Sequence, residues 1–298
     1  MTDVASGTPS TPGAWTARFS GLQTLNIAIR FPRTCLGLLL VTLVVAVALL
    51  GPLFAPHSPT QFVAPPYAAA TSAAPLGADY LGRDALSRFL WGGRSVLGLS
   101  LSATLLGMAA GVTIGLVAAY ARNWLDDVLM RAMDVVLAFP QIVFALLLIS
   151  TVGPQLWLLV LTVGASHAPR VARVTRAAAT EVIVRDFVLS AEALGESRRR
   201  ILFSEVLPNI SSPLLVEFGL RLTYSIGLVA AVSFLGFGMQ PPAADWGLMI
   251  NENRIGLTIQ PWPVLLPVIA IGLLTVGMNL FTDGIARAAI GLGRSADR

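Results

Sequence analysis

Apolar and polar residues fall in long blocks along this chain rather than in single alternation. Six blocks are long enough for helices that cross a bilayer, which takes roughly 20 residues: about 34–54, 94–120, 129–151, 153–170, 212–236 and 263–284, the fourth being the shortest. The pattern predicts an all-α membrane protein with six transmembrane helices. Ahead of the first block, residues 1–20 are rich in Ser, Thr, Pro and Gly and read as a disordered tail, and 21–33 as a short amphipathic helix at the membrane surface. The first block is too long for the core of a signal peptide and leaves through Leu53, Phe54, Ala55 and Pro56, so it is expected to be a retained helix. The predicted organisation is a tail over 1–33, a first span over 34–54, an outer segment over 55–93, a five-helix core over 94–284 and a tail over 285–298.

One charged stretch between blocks, 185–209, is not an ordinary loop. A helical pattern runs from Arg185 into Gly195, restarts, and stops at Leu207-Pro208. Glycine permits a backbone angle that a side chain would penalise, and proline ends the second helix before the fifth span. Helix, elbow, helix is a form that can protrude from a membrane and transmit a push, which a floppy loop cannot.

Composition supports the membrane assignment: 55% of residues are hydrophobic and 12% charged, against about 25% charged in a soluble domain. All 20 basic residues are arginine. Without lysine there is no phosphate-binding P-loop lysine and no Schiff-base chemistry, so any ATP driving this protein must be hydrolysed by another chain. The arginines sit at the ends of apolar blocks, as topology signals do, rather than in a nucleic-acid footprint. With the N-terminus in the cytoplasm, only Arg83, Arg88, Arg94 and Arg254 fall outside and Arg221 within a span. Both termini are therefore expected to be cytoplasmic. The single cysteine, Cys35, excludes an internal disulfide and reads as a small hydrophobe. His57 and His167 are too far apart in sequence to suggest a metal centre, and no G-x-S-x-G or H-E-x-x-H sequence points to an enzyme.

Several residues have two readings. Arg131 and Asp134 share a helix face at i, i+3 spacing and can pair, either as a gate or inter-subunit latch or as a structural ion pair. Glu217 and Arg221, at i, i+4, either line a pathway or satisfy each other. Pro140, inside the third block, can kink it. Gly107, Gly111 and Gly115 form a small-residue face suited to close helix packing, within the chain or against a partner. His167, beside Pro169 and Arg170, reads as a helix-end residue, with a proton relay as the alternative.

Four passages together carry a family resemblance: Pro75 to Arg88 (PLGADYLGRDALSR), Met130 to Pro140 (MRAMDVVLAFP), the 185–209 loop, and Ser233 to Pro242 (SFLGFGMQPP) followed by Asp245 to Met249 (DWGLM). In this order and spacing they resemble the permease subunits of ATP-binding-cassette importers, in the branch that takes up dipeptides, oligopeptides or nickel, and the long outer segment is similar to that of the "C" type. The resemblance implies the type I ABC importer permease fold. It makes the loop the family's EAA coupling loop, with Ser190, Ala191, Glu192, Ala193, Leu194, Gly195, Glu196, Ser197, Leu207 and Pro208 facing an ATPase and Arg198, Arg199 and Arg200 facing its acidic groups or anionic lipid. It also implies a bacterial plasma (inner) membrane location, a homologous "B"-type permease partner, two ATPase subunits or one fused ATPase using ATP and Mg, and an extracytoplasmic substrate-binding protein, with no cofactor held by this chain. Peptide is the expected solute, with nickel or another small solute as the alternative and an ion-coupled secondary carrier as the rival. Two positions depart from the family: Leu189-Ser190-Ala191 stands where Glu-Ala-Ala is usual, and 283–289 lacks the usual Leu-Asp-Pro ending.

Overall fold

The structure, a computed structural model, describes residues 20–121 and 123–296. Residues 1–19 of the tail expected over 1–20, together with Arg122 and Arg298, lie outside the described residues.

The described chain is helical, with two isolated bridges in the outer segment, Phe62 to Arg83 and Ala78 to Asp84. Helix α1 (Ser20–Ala28) is the expected short helix and leads into α2 (Pro32–Phe54), which starts on Pro32, where a missing N–H costs nothing. After the outer segment comes α3 (Ala85–Ala121). At 37 residues it is about 55 Å long, well beyond the roughly 30 Å of a hydrocarbon core. It begins nine residues before the block that predicted it, so its first turns belong to the outer segment.

The third block does not form one helix. It divides into α4 (Trp124–Leu137) and α5 (Gln141–Val152), bent by 81° at the break. Pro140 supplies no N–H and disfavours helical geometry in Phe139, so the expected kink becomes a full interruption. At 12 residues, or about 18 Å, α5 cannot cross a bilayer alone.

The fourth block is the first half of a longer helix, α6 (Leu156–Ile183). Its second half carries Arg170, Arg173, Arg176 and Glu181, and it continues past Pro169 without a break. Helix α7 (Asp186–Ala193) follows, then α8 (Arg198–Arg200), a π-helical turn over Ile201–Val206, and α9 (Leu207–Asn209). The chain closes with α10 (Ser211–Phe234), α11 (Trp246–Asn253) and α12 (Trp262–Ala296). Among the described residues, four helices (α2, α3, α10 and the Trp262–Ala289 part of α12) are long and apolar enough to cross a membrane, and the bent α4–α5 pair would be a fifth.

The small-residue face on α3 packs inside the chain, against α6. A Cβ at Gly107 would lie 2.7 Å from the Gly164 carbonyl, one at Gly111 2.5 Å from the Val171 Cβ, and one at Gly115 2.5 Å from the Ala172 carbonyl. The two backbones are therefore in direct contact, which fixes α6 along the length of α3. One apolar core joins α2, α3, α10, α11 and α12 through Val44, Val96, Ile226, Trp246 and Leu274. A second joins the far ends of α3 and α6 to the 185–209 loop through Leu116, Ala179, Ile183, Val188, Ile201 and Val206.

Candidate functional site

The 185–209 loop is a short rigid arm. Asp186 opens α7 in its first turn. The helix closes on Gly195, whose φ of +78° is the left-handed value that a side chain resists. Gly195 N–H donates to the Glu192 carbonyl at 3.0 Å and Glu196 N–H to the Ala191 carbonyl at 3.1 Å. These two bonds satisfy the helix's last carbonyls while reversing the chain, the Schellman arrangement. A Cβ at Gly195 would meet nothing within 4 Å, so the requirement for glycine there is conformational and not steric.

Beyond the elbow the second helical run ends at Asn209, one residue after the expected Leu207-Pro208 stop. Its middle is wound as a π-helix, with Leu207 N–H donating five residues back to the Leu202 carbonyl. Pro208 has no N–H to give to the preceding turn, and the wider winding reassigns the freed carbonyls. Val188, Ile201, Val206 and Ile210 are fully buried beneath the arm, each contributing about 1.5–3 kcal/mol if taken from water. At the end of α3, Tyr120 lies beside Glu192, and the Arg198 guanidinium sits 5.8 Å above its ring. Arg200, itself exposed, reaches back to the half-buried Glu196 at 3.3 Å.

The arm's outward face is apolar at its tip. Leu194, immediately before the elbow, is 84% exposed, and Val184, Phe187, Leu189 and Phe203 are also exposed. Ser190, Glu192, Ala193 and Ser197 share that outer surface, Ala191 and Glu196 are half-buried, and Leu207 and Pro208 sit at the base. A rigid arm with bare hydrophobes at its tip has the form of a docking element.

The predicted Arg131–Asp134 pair does not form. Asp134 is paired instead with Arg173 of α6, and Asp126 takes Arg176 in a two-pronged contact at 2.5 Å and 2.5 Å. Arg131 is exposed elsewhere on α4. Spacing along one helix identified a permitted pair, but α6 offers two arginines to the same face. These bridges strap α4, which has no fully buried residue, onto the half of α6 that leads into the arm.

Glu217 and Arg221 do meet, with Nε 2.8 Å from Oε1, and both are almost wholly buried inside the bundle. Neither is on an open wall of this chain. His167 is not a helix-end residue: it is fully buried in mid-α6, with Nε2 2.9 Å from Ser225 Oγ, and Ser225 in turn lies 2.8 Å from Thr104 Oγ1. This polar bridge ties α3, α6 and α10 together.

At the opposite end of α3 the first sequence passage meets residues just beyond the fourth in a buried clamp. Arg83 Nε lies 2.6 Å from Asp79 Oδ2, and the Arg83 and Arg88 guanidinium groups reach Glu252 Oε2 at 3.1 Å and 2.8 Å. Asn253 Oδ1 accepts from Tyr80 N–H at 2.9 Å, and the Tyr80 hydroxyl donates to Glu252 at 3.2 Å. Burial and the neighbouring Glu252 carboxylate push the Tyr80 phenol up. Asp84 binds the Ser87 N–H and hydroxyl at the start of α3, while Asp245 caps α11 through Leu248 N–H at 3.0 Å and accepts from Ser95 at 2.6 Å. Trp246 stacks on Phe89 at 5.5 Å and donates to its carbonyl. Glu252 and Asn253 are not legible in the sequence, because no local spacing links them to Arg83 and Arg88. Their signal was only a pair of polar residues closing a short outer helix.

The family described as the binding-protein-dependent transport system inner membrane component matches residues 111–290. The chain is 38% identical over 213 residues to the glutathione transport system permease protein of Pectobacterium atrosepticum, covering 72% of this chain and 71% of that one. It is 35% identical over 259 residues to the di/tripeptide transport system permease protein of Pseudomonas aeruginosa, covering 85% and 86%. With the dipeptide transport system permease protein of Alkalihalophilus pseudofirmus it shares 30% identity over 279 residues, covering 92% and 88%.

Proposed function

The chain belongs to the family of binding-protein-dependent transport system inner membrane components, and from that premise we propose that it forms half of a peptide-conducting pore in an ATP-driven importer. The named relatives carry glutathione, dipeptides or di- and tripeptides, which supports a short peptide as the solute here. The other half of the pore is a homologous "B"-type permease. Separate ATPase subunits, or one fused ATPase chain, bind ATP and Mg, and an extracytoplasmic binding protein delivers the solute. The arginine distribution supports a cytoplasmic arm with both termini on the same side.

The observation that carries this reading is the arm itself, with its left-handed Gly195 and bare Leu194. Closure of the ATPases displaces the arm. It is seated on α6 before it and α10 after it, so both helices receive the motion. The Asp126–Arg176 and Asp134–Arg173 bridges hand α6's displacement to α4 and so to the α4–α5 break. ATP binding elsewhere thereby shifts the pore between its two access states. The clamp at the other end of α3 keeps the outer segment rigid while this happens.

A detergent pull-down of the tagged full chain with mass spectrometry tests the proposal. Co-purification of a second permease and of ATPases is expected, with the ATPases lost when residues 186–200 are replaced by a Gly/Ser linker. A stable complex without any ATPase, together with proton-driven uptake, would overturn it in favour of a secondary carrier. Competition of labelled dipeptide uptake by unlabelled peptide but not by nickel is the result expected for the solute.

A further inference from the structure

A groove of about 400 Å³ lies between the start of α2 and the 280–287 stretch of α12, where two membrane-capable helices meet. It is at the arm's end of the bundle, since α1, just ahead of α2, contacts the beginning of α10 through Thr24 and Ser212. Arg33 and Arg287 line it, both exposed and neither in an ion pair among the described residues. The first turn of α2 also opens here with no capping side chain and no acidic residue; Pro32 has no N–H and the Thr34 N–H returns to the Phe31 carbonyl at 3.0 Å, which leaves the Arg33 N–H as the donor at this helix start. In the groove floor Thr34 is fully buried, and its hydroxyl, pressed toward Gly284, has no hydrogen-bond partner. Phe31 and Leu280 supply apolar wall. Farther along α2, Leu36, Leu39 and Leu43 are exposed on the way into the hydrocarbon layer.

We propose that this groove binds an anionic phospholipid, its phosphate bridged by Arg33 and Arg287. Asp283, on the same rim, sharpens the chemistry. Two guanidinium groups and one carboxylate leave a single net positive charge, which suits a phosphodiester better than a doubly charged phosphate monoester. The carboxylate also accepts a hydrogen bond from a headgroup hydroxyl. The ligand class is therefore a glycerol-headgroup phospholipid, and the site fastens α2 to α12 at the membrane surface.

Native mass spectrometry of the purified full chain tests this, with phosphatidylglycerol, phosphatidic acid and phosphatidylcholine of identical acyl chains. Phosphatidylglycerol is expected to bind best and phosphatidylcholine least. The R33Q/R287Q double variant should lose on the order of tenfold or more in phosphatidylglycerol affinity, while R33K/R287K should retain most of it. Both arginines are exposed, so folding should be intact, and a thermal melt checks it. Asp283→Asn should narrow the preference for phosphatidylglycerol over phosphatidic acid. Equal retention by wild type and the R33Q/R287Q chain would overturn the proposal by placing the lipid elsewhere. Displacement of the lipid by millimolar inorganic phosphate would overturn it in favour of a soluble phosphate site.

Discussion

Arg88 and Glu252, 164 positions apart, meet at 2.8 Å with both side chains almost excluded from solvent. Glu252 also takes Arg83, so one carboxylate offsets two buried guanidinium groups together with Asp79. Glu252→Gln should lower the stability of the outer end of the bundle by about 3–5 kcal/mol, the usual cost of leaving a buried charge unpaired. The measurement is a thermal melt of the chain in detergent, with Glu252→Asp expected to fall between the two. An unchanged melt would show that the clamp contributes no net stability.

Gly195→Val should leave membrane insertion intact while uncoupling transport. Its φ of +78° costs a branched residue about 1–2 kcal/mol, although the space around it is open. Gly195→Asn, which tolerates that angle, should behave nearly as wild type. The ratio of solute imported to ATP hydrolysed in proteoliposomes separates the two variants.

Leu194→Ser removes an 84% exposed side chain and should change stability by no more than about 0.5 kcal/mol. It should nonetheless reduce ATPase recovery in the pull-down. Full recovery of the ATPases would show that Leu194 is not part of their contact.

Charge reversal tests the strap between α4 and α6. Asp126→Arg and Arg176→Asp should each depress transport, and the double exchange should restore much of it, because the two side chains meet face to face. Partly exposed pairs contribute only about 0.2–1 kcal/mol, so the thermal melt should hardly move while uptake does. Failure of the double exchange to rescue would argue against transmission through this pair.

Gly111→Ala should destabilise the α3–α6 contact by about 1–3 kcal/mol, as overpacking does, since its Cβ would press on Val171 and on the Ala168 carbonyl. Gly98→Ala on the same helix meets nothing within 4 Å and serves as the matched control. Comparing their melting temperatures isolates the packing effect from helix propensity.

The arm was legible in the sequence because its rules are local. A helical run, a glycine and a Leu-Pro pair each act on their own backbone, and the structure returns the elbow at Gly195 and the end of the run within one residue. The π-turn was not legible, since it depends on how the carbonyls freed by Pro208 find new donors. Pro140 announced a bend but not one of 81°. The i, i+3 spacing allows Asp134 to pair with Arg131; α6 brings Arg173 to the same carboxylate from 39 positions away. His167 looked like a helix end because Pro169 and Arg170 follow it, yet α6 continues to Ile183 and buries it.

The sequence by itself determined the membrane class, the apolar blocks, the lysine-free charge pattern and the elbow. Transfer of apolar groups from water and the φ limits of glycine and proline depend on a residue and its near neighbours. The tertiary structure alone decided which charges neutralise which, that the glycines of α3 serve α6, and that the outer clamp closes on Glu252. Those outcomes depend on which helix faces come together, and a buried charge takes the partner that its packed helices carry within reach.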